Sequence, residues 1–151
     1  MSDAAAGQGG AGFSRSVRLR SPAEFARVYE FRRSAAEGPL VLHAAPAADG
    51  GSEVRLGLSV SRRVGGAVVR NRWKRRLREA FRAVRPRLPP GNDFVVVVRP
   101  APVPAAAAGA RRVEESIVSL ATRVVGRPGY ARGGPRQDGP TSGGRRPRRG
   151  R

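Results

Sequence analysis

Residues 62–78 form a segment in which positive charges accumulate without acids to balance them. The first acidic residue after residue 61 is Glu79. The eight basic residues that precede it in this segment are Arg62, Arg63, Arg70, Arg72, Lys74, Arg75, Arg76 and Arg78. Because neighbouring cations repel one another, the pattern favours an external polyanion such as RNA. Asn71 adds a donor and an acceptor suited to a sugar hydroxyl, a base edge or a hydrated metal ion. The alternative interpretation is an ordinary solvated polar face.

The whole chain shares this charge imbalance. Its 151 residues include 30 basic and 11 acidic residues, which give a formal net charge of +19. Self-repulsion of this size weakens a compact fold, so a polyanionic partner is expected. Lys74 is the one lysine, and all other basic residues are arginine. Arginine grips phosphate bidentately and stacks on bases, although a mutational bias toward arginine codons would produce the same composition.

Several kinds of chemistry are disfavoured by what the sequence lacks. With no cysteine and one histidine, His43, it cannot form disulfides or thiol-based sites, and a catalytic triad is improbable. No apolar run approaches the roughly 20 residues that span a bilayer, and the N-terminus does not follow the pattern of a secretory signal. The sequence therefore predicts a cytoplasmic protein with no membrane partner and no small-molecule substrate.

The basic segment should lie on an amphipathic helix. Five apolar residues fall at helical spacing on one face: Trp73, Leu77, Ala80, Phe81 and Val84. Four basic residues repeat every four positions on another face: Arg70, Lys74, Arg78 and Arg82. Pro86 should end this helix.

The elements before it are a helix and short strands. Ser21, Pro22 and Glu24 form a capping-box helix start, and an apolar stripe follows at Phe25, Val28 and Tyr29. Residues 40–43 and 54–61 are predicted strands, separated by a turn at residues 49–51 and paired as an antiparallel hairpin. In the second strand, the face that carries Arg55, Gly57, Ser59 and Ser61 is small and polar and could accept a ligand.

The remaining elements complete one domain. Residues 94–98 are continuously apolar, as in a strand buried on both faces. The last helix has its inner face at Val113, Ile117, Leu120, Ala121 and Val124. The prediction is a small α+β sandwich of order αβββαβα at residues 18–125. Residues 1–17 are predicted to be a disordered arm. Residues 126–151 are predicted to be a disordered basic tail, either a solvated charge run or a loose contact to RNA phosphate.

Long blocks of this sequence match a known pattern. They are Leu-Gly-Leu-Ser-Val-Ser-Arg-Arg-Val-Gly at 56–65, Ala-Val-Val-Arg-Asn-Arg-Trp-Lys-Arg at 67–75 and Arg-Glu-Ala-Phe-Arg at 78–82. Flanking matches are Arg-Leu at 18–19, Glu-Phe at 24–25, Val-Tyr at 28–29 and Asp-Phe-Val-Val-Val-Val-Arg-Pro at 93–100. Together they resemble the family of bacterial ribonuclease P protein subunits over residues 18–125.

The resemblance implies an enzyme in which a partner RNA is the catalyst. That catalytic RNA, with Mg²⁺, hydrolyses the phosphodiester that joins the 5′ leader to precursor tRNA, while the protein binds the leader and strengthens metal and substrate binding. No catalytic residue and no metal site is expected in this chain. The residues expected to bind RNA are Arg62, Arg63, Arg70, Asn71, Arg72, Lys74, Arg75, Arg78 and Arg82.

The resemblance also implies a leader-binding cleft between the first helix and the sheet. Its expected residues are Phe25, Tyr29, His43, Ser59 and Ser61. Aromatic side chains hold single-stranded bases with little sequence preference, although Phe25 and Tyr29 could instead be core residues. His43 stands where the family often has an aromatic such as tyrosine, and its role could be structural. A left-handed β–α–β crossover around the basic helix is a further implication, against the usual right-handed rule.

Two other classes of protein share the charge and size. A structural RNA-binding protein such as a ribosomal component would have similar tails, but the Arg-Asn-Arg block with its flanking strands is not typical of one. A nucleoid-type DNA binder would place the basic helix in a major groove and would be expected to dimerise. The short helix and turn that precede such a recognition helix are absent from the sequence pattern.

Overall fold

A four-stranded mixed sheet organises the domain. The computed structural model describes residues 17–103 and 106–132. The strands are β1 (Ser34–Glu37), β2 (Leu40–Pro46), β3 (Arg55–Val60) and β4 (Asn92–Val98). Their spatial order is β1-β2-β4-β3, with β1–β2 and β2–β4 antiparallel and β4–β3 parallel.

Three α-helices complete the predicted order αβββαβα, which is confirmed. They are α1 (Pro22–Glu30), α2 (Ala67–Val84) and α3 (Ala106–Val125). The predicted capping box at α1 is present, with the Ser21 side chain accepting from the backbone N–H of Glu24 at 3.2 Å. Glu24 Oε1 accepts from the backbone N–H of Ser21 at 3.1 Å in return. The chain leaves α2 through a 3-10 turn, Arg85–Arg87, that contains Pro86.

The predicted hairpin between residues 40–43 and 54–61 is wrong. β4 lies between β2 and β3, so these two strands are not neighbours. The physical reason is that β4 is apolar on both faces, with Val95 and Val96 at most 1% exposed, and such a strand buries most surface at the centre of a sheet. The hairpin partner of β2 is instead β1, reached through Gly38, whose φ of +58° suits glycine.

Helices cover the sheet on both sides. One face packs against α2 and α3, where all five predicted inner residues of each helix are buried. The other face packs against α1, around Leu19, Val28, Ala45 and Val95. Since β3, α2 and β4 follow one another and β3 and β4 are parallel, the connection is a β–α–β crossover. Its left-handed sense stays a prediction.

Buried residues lie just outside the predicted domain boundaries of 18 and 125. Val17 is buried, and the predicted tail contributes Tyr130, which is 7% exposed. The Tyr130 hydroxyl donates to Asn92 Oδ1 at 2.7 Å, and its ring meets the ring of Phe31 edge-on at 5.7 Å. Residues 126–151 are rich in Gly, Pro and Arg, so there was little reason to expect from the sequence that their one aromatic residue, Tyr130, packs on the domain. The predictions for residues 1–16 and 133–151 lie outside the described residues.

Within the described ranges, no helix combines the length and the hydropathy needed to cross a membrane.

Candidate nucleic-acid interface

Helix α2 separates its charged residues from its apolar residues. Trp73, Leu77 and Phe81 are fully buried, and the Trp73 indole N–H donates to the carbonyl oxygen of Ala101 at 3.1 Å. On the opposite side Asn71, Arg72, Arg75 and Arg82 are exposed. Along the flanks Arg70, Lys74, Arg76 and Arg78 are partly exposed. Because the apolar side is locked into the core, the basic side is held as a rigid surface.

The chain approaches α2 through a short basic turn. Arg62 and Arg63 are exposed in a 3-10 turn, Arg62–Val64, that follows β3. Ser61 Oγ accepts from the backbone N–H of Arg63 at 3.3 Å and so holds the turn. Arg70 Nε donates to the carbonyl oxygen of Gly65 at 3.2 Å, which ties α2 to this turn. We call the turn and the outer side of α2 the basic surface: Arg62, Arg63, Arg70, Asn71, Arg72, Lys74, Arg75, Arg76, Arg78 and Arg82.

The basic surface has one acid of its own. Glu79 is the sole acidic residue of α2, and its Oε2 lies 3.4 Å from Arg75 Nε. The Arg75 side chain is 80% exposed, so water screens this pair and its contribution to stability is small. No acidic residue lies in the first turn of α2. The surface therefore keeps a strong positive potential that favours a polyanion.

A second group of predicted residues meets on the α1 side of the sheet. Tyr29 on α1 and His43 on β2 pack edge-on with ring centroids 4.9 Å apart. Phe25 lies one turn before Tyr29, with its ring centroid 6.5 Å from that of Tyr29. Gly57 on β3 and His43 on β2 pair with the same residue of β4, Val95, so they share one row of this face. We call Phe25, Tyr29, His43 and Ser59 the aromatic cleft.

The pKa shifts of the ionisable rings in the aromatic cleft favour their neutral forms. Burial lowers the pKa of His43 to about 4, so its imidazole is uncharged at neutral pH. Burial also raises the pKa of Tyr29, an effect that a hydrogen bond with the Ser59 side chain partly offsets. Tyr29 is nevertheless 37% exposed, so its ring is available to a ligand. The cleft therefore offers aromatic surface and neutral polar groups, whereas the basic surface offers charge.

The predicted residues thus form two groups. The predicted RNA-binding residues all lie on the basic surface, and four of the five predicted cleft residues form the aromatic cleft. Ser61 lies beyond the end of β3, where its hydroxyl caps the basic turn. The structure gives the positions of these residues. Their roles in binding RNA stay predictions.

Sequence reasoning missed the residues that hold α1 above the sheet. Asp93 is buried at the start of β4 and binds both Arg27 of α1 and Arg55 of β3. Gly57 lies directly beneath Phe25, where an added Cβ would come within 2.7 Å of Phe25 Cζ. The alternation of β3 placed Arg55 and Gly57 on the correct face, but no signal in the sequence connects them to Asp93 or Phe25.

The described residues contain no group of three or more His, Cys, Asp or Glu side chains arranged to hold a metal ion. On α2, side-chain oxygens come from Asn71 and Glu79 alone.

Comparison with known proteins gives a consistent result. The family model described as Ribonuclease P matches residues 13–125. A Ribonuclease P protein component from Chloroflexus aurantiacus is 48% identical over 85 residues, which cover 56% of this chain and 62% of that protein. One from Roseiflexus castenholzii is 46% identical over 85 residues, covering 56% of this chain and 68% of that protein. The chain thus spans about three fifths of the length of the Chloroflexus relative.

Solved structures show the same fold. The ribonuclease P protein from Thermotoga maritima superposes with a TM-score of 0.59 at 28% identity, covering 71% of this chain and 96% of that protein. The Staphylococcus aureus protein gives a TM-score of 0.56 at 27% identity, covering 69% and 91%. The family model matches three quarters of the chain and contains both α2 and the aromatic cleft. The chain therefore belongs to the ribonuclease P protein family.

Proposed function

We propose that this chain is the protein subunit of a ribonuclease P ribonucleoprotein. In this role it binds the catalytic RNA and the 5′ leader of precursor tRNA. It thereby promotes the Mg²⁺-dependent removal of the leader that yields the mature 5′ end of tRNA. The bonds of the substrate are cleaved at the RNA subunit, and the chain contributes binding and orientation. The observation that carries this proposal is a rigid, almost acid-free basic surface beside a neutral aromatic cleft, within a family match.

The basic surface is suited to the catalytic RNA. A folded RNA presents phosphates at many angles, and planar guanidinium groups bind them through two donors each. Since Trp73 and Phe81 anchor α2 in the core, the backbone positions that carry its cations keep fixed spacings when RNA binds. The helix backbone is then already ordered before RNA binds, which lowers the entropic cost of association.

The aromatic cleft is suited to a single-stranded leader. Tyr29 exposes part of its ring, and every base has a flat face that can stack on such a ring. His43 is uncharged at neutral pH because burial lowers its pKa to about 4, so it can stack without adding a charge. A site of this kind holds leaders of different sequence, as the processing of many tRNA precursors requires.

Mg²⁺ in this proposal is held mainly by the RNA. The donor set of α2 fits a direct protein site poorly, because Asn71 is surrounded by cations that repel a metal ion. Asn71 fits a contact to metal-bound water, since its exposed amide oxygen can accept a hydrogen bond. The cations around it would neutralise phosphate and so allow the RNA to fold at lower Mg²⁺.

Cleavage of precursor tRNA at low Mg²⁺ tests the proposal. The full chain is mixed with a bacterial ribonuclease P RNA and a precursor tRNA, and 5′ cleavage is measured with and without the chain. We expect the chain to raise the rate about 10-fold or more where Mg²⁺ alone is limiting, because it neutralises phosphates that otherwise repel. A poly-arginine peptide of equal total charge is the control. No increase above that control would overturn the proposal.

Replacing Tyr29 by alanine tests the leader site. We expect the affinity of the holoenzyme for precursor tRNA to fall about 5- to 150-fold, the range for loss of one base-stacking contact. Affinity for leader-free tRNA should stay unchanged. Tyr29→Phe keeps the ring and should bind like the wild type. If Tyr29→Ala and Tyr29→Phe show the same preference for the leader, Tyr29 does not contact it.

A further inference from the structure

One buried carboxylate joins α1 to the sheet. Asp93 is 1% exposed and accepts from Arg55 Nε at Oδ1 and from Arg55 Nη2 at Oδ2, both at 3.0 Å. Arg27 Nη2 of α1 donates to the same Oδ2 at 2.9 Å. The hydrogen bond to Asp93 raises the pKa of Arg55. Asp93 therefore links α1, through Arg27, to β3, through Arg55, and both elements contribute residues to the aromatic cleft.

The same arginines bind two further points. Arg27 Nη2 also donates to the carbonyl oxygen of Pro46, the last residue of β2, at 2.7 Å. Arg55 Nη1 lies 3.5 Å from Glu24 Oε2, and Glu24 is the capping-box residue of α1. Two arginines and two acids give this group a net charge of zero. We call Glu24, Arg27, Arg55 and Asp93 the α1 anchor.

A steric contact acts beside the anchor. The ring of Phe25 lies on the backbone of β3, where an added Cβ on Gly57 would come within 2.7 Å of Phe25 Cζ and 3.2 Å of Leu19 Cβ. A Cβ that close requires the neighbouring group to move. The absence of a side chain at Gly57 thus allows the Phe25 ring of α1 to lie directly against the sheet.

We propose that the α1 anchor is a positioning device for the aromatic cleft. It sets the height and tilt of α1, and hence how Phe25 and Tyr29 face a bound leader. Arg27, Arg55 and Asp93 are positioning residues in this role, which rests on the proposed binding of the leader. Apolar packing alone would let a short helix slide, whereas a bidentate ion pair has one geometry. Buried ion pairs are known to add little net stability and in some proteins to confer such geometric specificity.

Electrostatics support the same role. An unpaired carboxylate beside a groove for nucleic acid would repel phosphate. Here Asp93 is paired with two guanidinium groups, which neutralise its negative charge beside the groove. The Arg55 side chain is 26% exposed, with its donors directed at Asp93 and Glu24. Arg55 therefore acts through α1 and not by binding phosphate itself.

Arg55→Lys tests the proposal, because lysine keeps the charge but loses the fork that binds both oxygens of Asp93. The readout is the ratio of affinities of the holoenzyme for precursor tRNA with a leader of about five nucleotides and for leader-free tRNA. We expect this ratio to fall about 5-fold, with affinity for the catalytic RNA unchanged. Arg111→Lys, the same change on the exposed surface of α3, should leave the ratio as in the wild type.

A second variant approaches the same geometry from the sheet. Gly57→Ala displaces the Phe25 ring from the sheet, so it should lower the leader ratio as Arg55→Lys does. In the free full-length chain, the ring current of Phe25 should displace the chemical shift of the Gly57 α-protons from its random-coil value. Both Arg55→Lys and Phe25→Leu should move the chemical shift of the Gly57 α-protons toward its random-coil value. Arg111→Lys should leave it unchanged.

The outcomes separate the two proposals. A lower leader ratio together with a moved Gly57 signal supports positioning by the anchor. An unchanged ratio in Arg55→Lys, or an unmoved Gly57 signal, overturns it even when the wild type prefers leaders. If the wild type shows no preference for leaders, the proposed leader site fails, and the functional role of the anchor fails with it.

Discussion

Replacing Arg72, Arg75 and Arg78 together by glutamine is expected to weaken binding to the catalytic RNA about 100-fold at 0.15 M salt. Each phosphate contact that is lost removes about 0.7 to 0.9 from the slope of log affinity against log salt concentration. Three contacts therefore correspond to about two powers of ten at that salt concentration. The three residues lie on the outer side of α2, where the one internal counterion is Glu79. The measurement is a binding titration at several salt concentrations.

A charge-matched variant makes this result specific. Arg111, Arg112 and Arg127 are exposed outside the basic surface, and replacing them by glutamine removes the same charge. We expect this control to weaken binding less than about 3-fold, because long-range attraction is screened beyond a Debye length of about 8 Å. Equal losses in the two triple variants would show that net charge, and not the surface of α2, determines binding. Arg72→Lys, Arg75→Lys and Arg78→Lys then separate charge from the planar fork.

The basic helix could be predicted from the sequence because its pattern is local. Trp73, Leu77 and Phe81 recur at helical spacing, and the same residues are buried in the structure. The capping box at Ser21 and Glu24 spans four residues and is equally local. Where the signal lies within one or two turns of chain, tertiary contacts have little to override.

Strand pairing could not be predicted in the same way. The turn at residues 49–51 indicated a hairpin, but β2 and β3 each gain more by pairing with β4, which is apolar on both faces. That choice depends on a strand about 40 residues further on, and β1, with the sequence Ser-Ala-Ala-Glu, carries almost no strand signal. Tyr130 was hidden for a related reason, since its burial depends on Phe31 and Asn92 far earlier in the chain.

The cleft was predictable in its residues but not in its support. The resemblance pointed to Phe25, Tyr29 and His43, and the structure brings these rings together. Asp93 looks like a polar residue that begins a strand, and its partners lie 66 and 38 residues away. Only the fold brings Arg27 and Arg55 to it. Residues that support a site through contacts distant in sequence are therefore harder to predict than the residues that line it.

Replacing Trp73 by alanine is expected to lower the free energy of unfolding by about 3 to 5 kcal/mol. Trp73 is fully buried among the core residues of α2, and its indole N–H bonds the carbonyl oxygen of Ala101 beyond β4. The change leaves a large cavity and an unpaired carbonyl oxygen. Urea denaturation followed by circular dichroism measures the loss, and it is large against a typical total of about 5 to 15 kcal/mol.

Val68→Ala is the matched control for this prediction, because Val68 lies on the same helix and is 68% exposed. It should change the free energy of unfolding by less than about 0.5 kcal/mol. A loss below about 1 kcal/mol in Trp73→Ala would contradict the docking of α2 described above, since a buried tryptophan rarely costs so little. Catalytic RNA at 100 times its dissociation constant should add about 2.7 kcal/mol to the free energy of unfolding of both variants. Because the increment is the same in both variants, stabilisation by RNA should add to stabilisation by the core: burial of Trp73 opposes the repulsion among the arginines, and bound RNA is expected to reduce that repulsion.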